Sequence, residues 1–70
     1  MDTSKQVIVG WRREDNKQLF LRVNEDGTAD WVESKTDATI YPDVNSARRD
    51  WFGLNKTGFR HVFVVVADSI

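Results

Sequence analysis

His61 is the only histidine in this chain, and there is no cysteine. A two-histidine metal site, a thiolate site and a cysteine nucleophile are therefore outside its repertoire. His61 falls in a strand-like run at the parity of Phe63 and Val65, where a lone imidazole reads as a structural or solvent-facing group. Ser4, Ser34, Ser46 and Ser69 stand in terminal, loop or capping contexts, without the strained strand-to-helix turn that presents a nucleophilic serine. Asp30 with Glu33 or Asp37 has the makings of a carboxylate acid–base pair. Such a pair needs a deep cleft to drive its pKa values apart, and a small single-layer domain offers none. Residues 24–28 supply oxygen ligands without the twelve-residue spacing of a calcium loop. Gly27, Gly53 and Gly58 are too scattered to cradle a phosphate. The expectation is a non-enzymatic protein with no cofactor and no metal.

Binding chemistry is better represented. Trp11-Arg12-Arg13 and Arg48-Arg49-Asp50-Trp51-Phe52 interleave basic groups with aromatic rings, the combination that meets phosphates while stacking on bases. Nucleic-acid binding through Arg12, Arg13, Arg48 and Arg49 is accordingly one reading. Charge weighs against it. Ten Lys and Arg against eleven Asp and Glu give a net charge of -1, whereas polyanion binding rests on a basic excess. The charge is also segregated. Residues 25–43 carry Glu25, Asp26, Asp30, Glu33, Asp37 and Asp43 against Lys35 alone, while the flanking stretches are each mildly basic. An acidic surface at Glu25, Asp26, Asp30 and Glu33 would suit a basic protein.

The elements that position these residues follow from apolar periodicity. Residues 5–13 alternate as a strand, with Val7, Val9 and Trp11 on one face and Ile8 with Gly10 on the other. Residues 18–23 alternate again, with Leu19, Leu21 and Val23 against Phe20 and Arg22. Asn24-Glu25-Asp26-Gly27 is a hairpin signal, and residues 28–33 return as a third strand. Pro42 ends an extended piece and Asp43 is a helix N-cap, followed by a stripe of Val44, Ala47, Trp51 and Leu54. Residues 60–67 form the last strand, apolar at both parities and so expected to be buried on both faces.

This order predicts an α+β domain over residues 1–70: a mostly antiparallel sheet of about four strands with one helix on one face, β-β-β-α-β. Val7, Val9, Trp11, Leu19, Leu21 and Val23 are expected beneath the helix. The opposite face would present Ile8, Phe20 and either Phe63 with Val65 or the other valine set; Ile8, Phe20 and Phe63, with Arg22 at the rim, are the candidates for it. That is more apolar surface than a monomer leaves in water, and it points to a homodimer or an unidentified protein partner. The directions of Trp31 and Phe52 are open at this level. The opening residues lack the basic start and long apolar run of a secretory signal. Val62 to Ala67, the longest uninterrupted apolar stretch, is too short to cross a bilayer. The expectation is a soluble, cytoplasmic protein without a membrane partner.

Asp37-Ala38, Tyr41, the cap at Asp43 and Ala47, set between a β-meander and a valine-rich strand, resemble a pattern in small phage and prophage proteins of Gram-positive bacteria. The likeness spans residues 5–66 through a short, degenerate motif, and departs from it at Pro42 and Gly53. The resemblance implies an accessory or regulatory, non-enzymatic role and carries over no functional residues. Two readings follow: a protein-binding accessory module, and, as the alternative, a nucleic-acid-binding module.

Overall fold

The computed structural model describes residues 5–69. Strands β1 (Gln6–Arg12), β2 (Gln18–Val23) and β3 (Ala29–Val32) form the meander, followed by helix α1 (Val44–Gly53) and strand β4 (Phe59–Val66). Two 3-10 turns, Lys35–Asp37 and Ala67–Ser69, complete the order. The sheet is antiparallel throughout, in the order β3-β2-β1-β4, so β1 and β2 are interior and β4 is an edge.

Turn chemistry sets the hairpins. Asp15 accepts from the Lys17 amide, Asn16 takes a left-handed φ of 56°, and β1 pairs with β2 through Val9–Phe20 and Gly10–Leu19. Gly27, at φ 90°, closes the second hairpin, where Asp26 accepts from both the amide and the hydroxyl of Thr28.

That register corrects the expected faces of β1. Because Val9 lies opposite Phe20, it is Ile8 and Gly10 that share the helix side with Leu21 and Leu19. Ile8 is completely buried there with Leu21, Tyr41, Ala47 and Val62. Trp31, Trp51, Leu54, Phe59 and Val64 pack around this cluster. The rings of Trp31 and Phe59 lie 4.2 Å apart over the bare backbone of Gly10. Val7, Val9 and Phe20 are buried on the opposite face, where Ala67 joins them and Trp11, Val32, Ala38 and Val65 pack alongside. The second face is thus largely covered by the chain's own turns, with the Lys35 ammonium donating to the Ala67 carbonyl across it.

The segment before the helix is built into the sheet. The amide of Thr39 donates to Leu21 and its hydroxyl accepts from the Val23 amide, while Tyr41 exchanges two backbone hydrogen bonds with Gln6. These residues fill a seam where β1 and β2 have parted. Tyr41 is buried, its hydroxyl donating to Asp50 on α1. Asp43 caps the helix by accepting from the Ser46 amide.

Candidate interaction surface

Burial redistributes the candidate residues. Ile8 is 0% exposed beneath α1, which corrects its placement on an open face, and Phe20 is 8% exposed within the second cluster. Phe63 does lie on the face away from the helix, and it is 49% exposed. Arg22 is exposed, but it stands opposite Asp30 and beside the β2–β3 hairpin tip, across the sheet from Phe63. The double burial expected of the last strand belongs to β1, since only Val62 of β4 is buried.

Apart from Ile40, which is exposed beside the Tyr41 bridge, the exposed large apolar side chains converge on the β4 flank. Phe52 is 72% and Val44 44% exposed on α1. Both line a groove of about 210 Å³ with Arg48, Trp51, Phe63 and Val64. The helix builds its wall by simple spacing. Ala47, Trp51 and Leu54 face the core, while Val44, Arg48 and Phe52, each four residues apart, make the neighbouring stripe. Val44 therefore departs from the expected core stripe. Around the strand, Phe63 meets Trp11 edge-on at 5.9 Å and stacks on His61 at 5.6 Å. Trp11 is accordingly on the side away from the helix, half-exposed. Trp51 donates its indole N–H to the Val62 carbonyl and carries the Lys56 ammonium over its ring.

The acidic residues are largely engaged in local structure. Thr28 holds the Asp26 carboxyl below its ordinary pKa through hydrogen bonds from its side chain and backbone. Asp30 accepts from the Asn24 amide side chain, and Glu33 is ion-paired with Lys17. Glu25 stands with Asp26 at the exposed hairpin tip, whereas Glu33 lies at the far end of β3 beside the β1–β2 turn.

The four arginines of the nucleic-acid reading do not gather into one depression. Arg12 forks onto Asp15, which holds that carboxyl down at about 2, chiefly through the side-chain hydrogen bond. Arg48 lines the β4 groove, whereas Arg49 lines a depression on the other flank with Leu21, Val23 and Asp50. Arg12 and Arg13 share one shallow depression with Gly58 and Phe59, and Arg13 lines a second with Arg60 and His61. Their separation in sequence hid that grouping, because only the bulged β1–β4 register brings residues 12 and 13 beside 58–61.

Among the described residues no three His, Cys, Asp or Glu side chains come together as a metal-binding group. No helix among them is long and apolar enough to cross a membrane. No family model, no curated protein and no solved structure matches the chain.

Proposed function

We propose that this chain is a non-enzymatic protein-binding module, an accessory or regulatory component of phage or prophage type, which engages its partner along the β4 flank. The observation behind this reading is the gathering of Phe52, Val44 and Phe63, all strongly exposed, around one groove, while the apolar residues of both sheet faces are otherwise largely buried. Aromatic and arginine side chains at the centre of a patch are those that most often anchor protein interfaces, and this groove places Trp51, Phe52 and Phe63 with Arg48. The chemistry of the patch is apolar and aromatic, which suits a protein surface better than a phosphate backbone.

The test is affinity capture from an extract of the source cell, with wild type, Phe52→Glu/Phe63→Glu and Arg12→Ala/Arg13→Ala proteins. A protein held by wild type and the arginine variant, lost from the phenylalanine variant and bound again from purified components supports the reading. Salt-graded binding of a labelled single-stranded oligonucleotide that the arginine variant loses would replace it with the nucleic-acid module.

A further inference from the structure

We infer that the outer edge of β4 pairs antiparallel with β4 of a second copy of this chain, joining two four-stranded sheets into one of eight. The inference names one partner for the proposed binding flank and rests on that reading of it.

The two sheet edges differ. β3 is four residues long and carries Asp30, the usual features of a protected edge. β4 is eight residues long, ends in Val62-Phe63-Val64-Val65-Val66, and has a single formal charge at Arg60. An edge of that length and composition is a template for another strand.

The outward-facing groups define the register. Ala67 donates to Lys5, just ahead of β1, so by alternation Phe63 and Val65 bond inward and Val62, Val64 and Val66 present their amides and carbonyls outward. The Val62 carbonyl already accepts from the Trp51 indole and the Val66 carbonyl from the Ser69 hydroxyl. Val64, midway between them, has neither cap. A two-fold axis through Val64 sets it against Val64 of the second copy, where both groups are open, and matches Phe63 with Val65 and Val62 with Val66, whose carbonyls accept the inter-strand bonds through their second lone pairs. The same register carries Arg60 to the end of the neighbouring strand, where Asp68 follows. Both are exposed, and neither takes part in an ion pair among the described residues. The axis supplies this opposite-charge contact twice.

The helices fit the same symmetry. α1 packs over β1 and β4. With strands ~4.8 Å apart, two helices so placed lie two strand spacings, about 10 Å, from each other, which is the packing distance of helices in contact. The sides that meet are those bearing Val44 and Phe52, the exposed apolar residues of α1.

Sedimentation equilibrium of the full chain across a wide concentration range tests this, with circular dichroism as the fold control. Wild type is expected to show a monomer–dimer equilibrium. Val64→Pro removes an outward amide without touching the β1 ladder, and is expected to be monomeric. Arg60→Asp is expected to weaken the dimer about tenfold, as two exposed ion pairs are lost, and Arg60→Asp/Asp68→Arg to restore it. Should Val64→Pro fail to fold, the charge-swap series decides. A wild type that stays monomeric, or a dimer indifferent to Arg60→Asp, overturns the inference. A monomer that still captures a protein through Phe52 and Phe63 leaves the wider reading standing. A dimer that captures nothing removes the wider reading and keeps this one.

Discussion

Gly10 is where a missing side chain matters most. A Cβ there would come within 2.8 Å of the Phe59 ring and 3.0 Å of Trp31. Alanine would gain about 0.5–1 kcal/mol from its stiffer unfolded backbone, but forcing the packed rings aside costs about 1–3 kcal/mol. Overpacking wins, and Gly10→Ala is expected to lower the urea midpoint with an unchanged denaturant slope. Thr39 makes the complementary case. Its hydroxyl is the acceptor for the half-buried Val23 amide at 2.7 Å, so Thr39→Val should cost about 1–2 kcal/mol in the same assay by leaving that donor unsatisfied. Three carboxylates and one phenol tie stability to pH. Asp15, Asp26 and Asp43 are held below their ordinary pKa by hydrogen bonds from Arg12, Thr28 and Ser46, respectively. Groups depressed in the fold stabilise it above their unfolded pKa, so the melting temperature should decline as pH drops below about 4. Tyr41 runs the other way. Burial, then Asp50, raises its phenol, so its contribution is present at neutral pH and is lost as pH climbs past about 10. Thermal melts across both ranges would read the two limbs.

Among the elements, the meander, the Asp43 cap and the final strand were all legible from turn residues and periodicity, to within a residue or two at their ends. The faces of β1 were not. Val7, Val9 and Trp11 at one parity and Ile8 at the other are all apolar, so alternation could not say which set lies beneath the helix. The β1–β2 turn decides it, because one residue more or less between Arg12 and Gln18 would exchange the faces. The exposed stripe of α1 was hidden for a related reason. Val44 fits the helical spacing of the core stripe, yet it stands in the first turn at the groove, where the sheet does not reach over it. Asp43→Ala should leave the Ser46 amide without its cap. A reduced helical circular dichroism signal and a lower melting temperature are the expected results, with the β-sheet signal retained until the global transition.

For the whole molecule, one layer of helix covers one face, and the chain covers most of the other with short turns at Lys35–Asp37 and Ala67–Ser69. Strand order, which periodicity leaves open, then concentrates most of the remaining apolar surface at one edge. A strand apolar at both parities reads as central, but β4 is flanked only by β1. If that edge pairs with a second copy, folding and association are linked by mass action. The melting temperature should rise with protein concentration, and Arg60→Asp should flatten the dependence. Equal melting temperatures over a hundredfold range, roughly 2.7 kcal/mol of mass action for a ligand in that excess, would contradict it.

The seam filled by Thr39 and Tyr41 also bears on how fast the molecule forms and comes apart. The hairpins close over short loops, but Tyr41 can meet Gln6 only after the whole meander has been traversed. If the seam is stitched late, its bonds form on the native side of the folding barrier and act on the unfolding rate. Thr39→Val should quicken unfolding and leave the refolding rate almost unchanged. A slowed refolding rate would instead place the join in the folding nucleus.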